Sequence, residues 1–212
     1  MVLRTKPEKK EEKEKTRAEL MRAALRLAAS FGFASLSLRE VSREAAIAPT
    51  SFYRHFGDME ELGLAILDEA VQPALQDMSE ACRKAASLKR DPFVSLVEAL
   101  LAAVDEDPNL FRFLFAERVG GSKPFRSAAA RCVGRLSDDL EQTLADHDLG
   151  GHPASRASAA EAAVIITLEL GFQGLDATHE QRLALLARAR KQMKLVAAGA
   201  ASTTRRPGEP DG

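Results

Sequence analysis

The sequence predicts an all-α fold in two parts, a three-helix N-terminal head with a helix-turn-helix and a larger six-helix C-terminal body. Three observations carry this. The 212 residues are only 5% aromatic and rich in alanine, leucine and arginine, with little of the β-branched alternation that strands need. Apolar residues recur at three- and four-residue spacing, the period of a helix with one buried face. Helix punctuation is written at intervals: Asp91-Pro92 and Asp107-Pro108 open segments, whereas Gly120-Gly121 and Gly150-Gly151 break them.

Taken in order, the run KPEKKEEKEKTR mixes both charges without apolar residues, so residues 1–12 read as a flexible arm, with the first helix starting near Lys13 or Lys15. Leu20, Ala24, Leu25, Leu27, Ala28 and Phe31 form its apolar stripe. Ser37 and Glu40 are spaced as a capping box, which starts a second helix from Leu38 to about Ala45. Ala46, Ile47 and Ala48 make a turn, and Pro49 suits the first position of a third helix. Asp58 and Glu61 open a fourth that runs towards Cys82. Further helices are expected over about 92–104, 108–118, 124–147, 154–172 and 178–198, nine in all. The domains are then a DNA-binding head at 13–57, a ligand-binding and dimerisation body at 58–200, and a disordered tail at 201–212.

Ser35 to Leu62 thus holds two short helices, a tight turn and a polar helix face. Phe52 and Phe56, four apart, can pack on Val41 and Ile47, leaving Thr50, Ser51, Tyr53, Arg54 and His55 on the outer surface or its borders. Such a helix fits a major groove, with short side chains reaching base edges and larger ones the backbone. Arg17 on the first helix and Ser37 and Arg39 at the start of the second complete the expected DNA contacts, with Lys9 and Lys10 of the arm and Lys15 at the helix start as further basic residues. Charge agrees: Met1 to Gly57 carries twelve Lys/Arg against seven Asp/Glu, a net of +5, and the remainder of the chain is −6. A basic module supplies phosphate neutralisation and an acidic body localises it. The expected partner is a double-stranded operator, read as a palindrome by a homodimer, because one helix-turn-helix covers only a few base pairs.

At Tyr53-Arg54-His55-Phe56 the chain resembles the TetR-type family of bacterial transcriptional repressors, whose recognition helix ends in Tyr-x-His-Phe. From Gly32 to Leu64, GFASLSLREVSREAAIAPTSFYRHFGDMEELGL, it is similar nearly throughout to the FabR and DesT branch, repressors of unsaturated fatty acid synthesis. Two residues depart from the wider family. Ala46 stands where glycine is usual, and if left-handed it costs on the order of 1 kcal/mol. Met59 replaces a lysine that contacts phosphate in most members, so that contact is not transferred; the same branch also tends to lack it.

In the body, Asn109 to Arg126 reads NLFRFLFAERVGGSKPFR, and half of the ten phenylalanines lie between Phe93 and Phe125. These rings are either core or the wall of an apolar pocket. Beside Arg112, Arg118, Lys123 and Arg126 they also fit a long acyl chain with an anionic head. The segment is similar to the same branch in its Asn-x-Phe-Arg start, Glu-Arg pair and later Phe-Arg, and that resemblance implies long-chain acyl-CoA as a small hydrophobic effector. The expected ligand contacts are Phe111, Arg112, Phe115, Arg118, Phe125, Arg126, Leu168 and Phe172, with Val164 and Ile165 on the same pocket wall. Ala160, Ala163 and Gly171 permit close helix approach, and Leu183, Leu186, Ala187, Arg190 and Met193 supply a dimer bundle. A regulator of efflux or another pathway, responding to a different hydrophobic ligand, is the competing expectation.

Other classes find little support. Asp146, His147, Asp148 and His152 straddle a glycine break without a helical i, i+4 pair, so neither a metal nor a catalytic centre is expected. No phosphate-binding glycine loop is present, no cofactor is expected, and the enzyme reading is rejected. The N-terminus lacks the apolar segment of a signal peptide, and no run is long enough to span a membrane. Cys82 and Cys132 read as buried thiols in a reducing cytoplasm.

Overall fold

A computed structural model describes residues 6–202, with side chains from Lys10 onwards. Among these residues the chain is helical with no strand. Nine helices result: α1 Lys6–Phe31, α2 Leu38–Glu44, α3 Pro49–Phe52, α4 over 59–87, α5 Pro92–Glu106, α6 Pro108–Val119, α7 Lys123–Asp146, α8 Pro153–Gly174 and α9 His179–Ser202. Helix α4 is continuous but not uniform: Met59–Ile66 and Gln72–Ser87 are α-helical, and one π turn, Leu67–Val71, joins them.

The N-terminus departs from expectation. Helix α1 begins at Lys6, seven residues before the expected start, so of the arm only residues 1–5 lie outside the described residues. Its charges explain this. Glu11 pairs with Lys15 at 2.8 Å and Lys10 with Glu14 at 3.8 Å, and each such i, i+4 pair adds ~0.2–0.5 kcal/mol to a helix. The tail is likewise shorter, since Ala201 and Ser202 close α9 and residues 203–212 lie outside the described residues.

Within the head, Leu20, Ala24, Val41, Phe52 and Phe56 are buried to 1% exposure or less. The expected capping box is present: Ser37 Oγ accepts from the Glu40 N–H, and the Glu40 carboxylate accepts from the Ser37 N–H at 2.8 Å. Arg26 clamps α1 to α2 by donating to Glu44 at 2.8 Å and to Glu19 at 2.9 Å. Phe31, expected in this core, is 69% exposed. The chain turns at Gly32, with φ of 76°, into a short 3-10 turn Phe33–Ser35, and Phe33 takes the buried place instead.

The body packs α9 along α8, α8 on α5 and α7, and the distal half of α4 between α5 and α7. Head and body meet through an aromatic joint. Phe33 meets Phe113 and Phe125 edge-on, with ring centroids 5.2 and 5.4 Å away. Helix α4 passes this joint at Gly63, where a Cβ would lie 2.4 Å from the Phe125 ring. A second close approach is at Gly171, whose Cβ would fall 2.3 Å from Leu100 and so brings α8 onto α5.

Candidate nucleic-acid interface and effector cavity

Local sequence builds the surface expected to face DNA. Ala46 adopts φ of 55°, the left-handed conformation that glycine usually supplies, and Ile47 N–H bonds back to the Ser42 carbonyl at 2.9 Å. This reversal sends α3 across α2. Pro49 starts α3, and Phe56 N–H to the Phe52 carbonyl at 3.0 Å carries the helical turn on to the end of the motif. With Phe52 and Phe56 buried beneath, Thr50, Tyr53 and Arg54 are exposed, Tyr53 at 65%, while Ser51 and His55 are half-buried. Tyr53 is held edge-on to Phe52 at 6.0 Å. Arg39 and Arg54 are exposed and form no ion pair among the described residues.

Three of the expected DNA contacts have other duties. Arg17 donates from Nε to Glu69 at 3.0 Å and from Nη1 to the His55 carbonyl at 2.6 Å, and its guanidinium lies 4.1 Å from the Phe56 ring centroid. It is a strut between α1, the end of α3 and α4, not a free phosphate ligand. Its hydrogen bond to Glu69 raises the Arg17 pKa and lowers that of Glu69. Ser37 gives its hydroxyl proton to Glu40 at 2.6 Å, so it organises α2 instead of donating to DNA. His55 has Nδ1 buried without a hydrogen-bond partner among the described residues. Burial, reinforced by Lys13, Arg17 and Arg54, pushes its pKa below the ordinary histidine value.

Two cations escaped the sequence reading. Arg43 is exposed on the same face as Arg39, four residues on, and Lys13 on α1 stands close enough to His55 to depress its pKa. The four-residue spacing of Arg39 and Arg43 was the available signal. Lys10 and Lys15 are paired with glutamates along α1, and the Lys9 side chain lies outside the described ones.

Below the head, Glu69 belongs to the π turn. Gln72 N–H reaches the Leu67 carbonyl five residues back, and the buried Cys132 thiol of α7 donates to the same carbonyl at 3.6 Å. Arg135 Nε fixes the Gln72 side chain at 2.8 Å. Both cysteines are free and buried, and burial raises each pKa, that of Cys82 to about 12.

The expected ligand residues do not converge. Phe111 is the one that reaches a cavity: a space of about 620 Å³ between α4, α5 and α6, walled by Pro73, Met78, Leu110, Phe111 and several alanines, with Asp77, Glu106 and Asp107 at its edge. Phe115 and Leu168 are core, and Phe125 belongs to the head–body joint. Phe172 is 57% exposed, stacked edge-on against Phe115 at 5.9 Å, and Ile165 is 53% exposed, so both lie on an outer face and not on a pocket wall. The periodicity explains the error, because α8 is apolar nearly all round and does not announce which side faces inward. Arg112 is tied to Asp176, and Arg126 holds the Gly120 and Gly121 carbonyls at 2.6 and 2.8 Å. Arg118 forms no ion pair among the described residues, and burial lowers its pKa. On α9, Leu183 and Leu195 are exposed, whereas Met193, expected at a dimer face, is fully buried in the protomer.

No described helix is long and apolar enough to cross a membrane. Among the described residues, no group of three or more His, Cys, Asp or Glu is placed to hold a metal ion.

Comparison with known proteins gives the same architecture. Residues 20–66 match the model of the bacterial regulatory proteins of the tetR family. A TetR-family transcriptional regulator of Syntrophomonas wolfei superposes with a TM-score of 0.70 at 13% identity, over 87% of this chain and 96% of that one. The regulator FadR of Bacillus subtilis, solved in complex with stearoyl-CoA, gives 0.67 at 15% identity over 86% and 98%. The multidrug binding protein EbrR, solved with imidazole, gives 0.59 at 19% identity over 85% and 94%. These structural likenesses show the fold, and the family match falls on the helix-turn-helix. Residues 20–66 are therefore similar to the helix-turn-helix domain of the tetR-family regulatory proteins, and the whole described chain has the fold of these regulators.

Proposed function

We propose that the protein is a homodimeric repressor of fatty acid genes, specifically those of unsaturated fatty acid synthesis or desaturation, that binds a palindromic operator and is modulated by long-chain acyl-CoA. Residues 13–57 form the DNA-binding module and 58–200 the ligand and dimer body. The observation that carries the DNA half is the exposed row of Thr50 on α3 and Tyr53 and Arg54 in the turn that continues it, flanked by Arg39 and Arg43, which form no ion pair among the described residues. Two such modules are needed for a useful operator length. The exposure of Ile165 and Phe172 on α8 and of Leu183 and Leu195 on α9 supports a two-fold bundle between protomers.

The acyl-CoA reading rests on the sequence resemblance at 32–64 and 109–126, with B. subtilis FadR, a fold neighbour, holding stearoyl-CoA. Arg118 is the cation best suited to an anionic head group, since Arg112 and Arg126 are already bound within the chain. Acyl-CoA acts here as an effector and not as a cofactor. Ligand in the body favours one separation of the two recognition helices over another, through α4. Gel-shift titration of the operator with saturated and unsaturated acyl-CoA tests this; unchanged operator affinity with every chain would refute control by these compounds.

A second reading, a regulator of efflux or another pathway with a different hydrophobic ligand, is favoured by one observation. The cavity that Phe111 lines is edged by three carboxylates and no cation, which repels an anionic head group. A hydrophobic effector whose affinity is left intact by Arg112→Ala and Arg118→Ala, with no binding of acyl-CoA, would support this alternative.

A further inference from the structure

The end of the body remote from the head holds a separate cavity. It opens where the end of α4, the start of α5, the α7–α8 connection and the last turns of α9 converge. Ala86 of its wall lies roughly 25 Å along α4 from Glu69. At about 560 Å³ the space lies within the ~300–1,000 Å³ of small-molecule sites. Its wall is largely apolar, with Ala86, Pro92, Phe93, Leu149 and Ala197. Its ionisable lining is Lys89, Arg90, Asp91 and His147. None of Phe111, Arg118 or Leu168, on which the acyl-CoA reading leans, lines it.

Both connections at the rim close a helix in the same way. At the end of α7, Asp148 N–H bonds to the Ala145 carbonyl at 3.1 Å and Leu149 N–H to the Leu144 carbonyl at 2.8 Å, with Asp148 left-handed at φ of 53°. At the end of α4, Lys89 N–H bonds to the Ala86 carbonyl at 2.9 Å and Arg90 N–H to the Ala85 carbonyl at 2.8 Å, with Lys89 left-handed at φ of 55°. This motif favours glycine at the left-handed position and an apolar residue after it. Leu149 obeys the second preference, whereas α4 places two cations there, and a left-handed lysine costs on the order of 1 kcal/mol. Neither cation is neutralised nearby. Lys89 is exposed and forms no ion pair among the described residues. Arg90 comes only within 4.0 Å of Glu98, which Arg190 already holds at 3.3 Å. Asp91 is engaged in capping α5, accepting from the Phe93 and Val94 N–H groups at 2.9 and 3.3 Å. An apolar wall under surplus positive charge is complementary to an amphiphilic anion.

We propose that this distal cavity binds a compact amphiphilic anion, a carboxylate or sulfonate on a ring-sized apolar body, with Lys89 and Arg90 as its counter-charges. The inference needs neither operator binding nor control by acyl-CoA. Isothermal titration of the full-length protein with 2-naphthoate should show saturable binding, and the matched cation 2-naphthylmethylammonium should not bind. Lys89→Gly/Arg90→Gln should weaken 2-naphthoate by roughly tenfold or more. The same variant should not lower the Tm, because glycine relieves the left-handed strain at Lys89. The control Arg131→Gln, an exposed cation outside the cavity lining, should bind as the parent does. Ala197→Phe, at a half-buried position of the wall, should abolish binding by filling the space. Absence of 2-naphthoate binding, equal affinity for the matched cation, or full affinity in Lys89→Gly/Arg90→Gln overturns the proposal. Operator titrations with acyl-CoA decide the earlier reading separately, since their failure with 2-naphthoate binding intact leaves this site standing.

Discussion

Replacing Gly63 by alanine tests the head–body joint most directly. In an exposed helix this change is favourable by ~0.5–1 kcal/mol, because alanine loses less backbone freedom on folding. Here the new Cβ would stand 2.4 and 2.8 Å from two atoms of the Phe125 ring and 3.0 Å from Phe33. Phe125 is 6% exposed and wedged against Phe33 and Phe113, so the ring must retreat by about 1 Å into a packed aromatic cluster, an overpacking cost of ~1–3 kcal/mol. The net is a loss of about 0.5–2 kcal/mol, or a fall in Tm of roughly 1–8 °C for a chain of this size. Circular dichroism melts give the number. Trimming the ring should restore the space, so Gly63→Ala/Phe125→Leu should be more stable than the sum of the single changes, by on the order of 1 kcal/mol. A rise in Tm for Gly63→Ala, or strict additivity in the pair, would refute the joint as described.

Three further outcomes follow from the same geometry. Ala46→Gly relieves the left-handed strain of ~1–2 kcal/mol but frees the unfolded chain by ~0.4–1 kcal/mol, so the head should gain roughly 0.5–1 kcal/mol in denaturant melts. His55 has a depressed pKa in the fold, so the unfolded chain takes up its proton first as pH drops below about 6.5. Stability therefore falls with decreasing pH from 6.5 down to the folded value, and urea titrations should show His55→Gln flattening this slope. Cys82 and Cys132 should resist a thiol reagent in the native protein and react once it is unfolded, because both are buried and their thiolates are disfavoured; a burst of labelling in the native state would contradict their placement.

Where punctuation and periodicity agree, the sequence is nearly sufficient. The capping box at Ser37, Pro49 at the start of α3, and the Asp-Pro pairs before α5 and α6 all act locally, so each is readable from a few residues and each stands in the structure. Side-chain destinations set by distant partners are not local. Arg17 reads as a basic residue near DNA, yet its partner Glu69 is 52 positions away. Arg112 reads as a ligand cation and meets Asp176, 64 positions on. The phenylalanines of α6 and α7 were visible as a cluster, but which of them packs and which lines space depends on α4 and α5, whose alanines hollow the cavity. The exposed face of α8 was misread because an all-round apolar helix carries no directional pattern.

The π turn at 67–71 also bears on how this chain is compared with its relatives. A helix gains one turn per 3.6 residues, so removing a residue from most of α4 would rotate everything beyond it by about 100° and bring polar side chains into the body. The π turn is the exception. Before it the large buried apolar residues are Leu62 and Ile66, within it Leu67 and Val71, and after it Leu75, Met78 and Cys82, so that the stripe is displaced by one position across the turn. Deleting one residue at 70 would close that displacement and leave both stripes in phase within an unbroken α-helix. A relative one residue shorter in this connection would keep the same head and the same body, and an alignment of the two places its gap at the π turn.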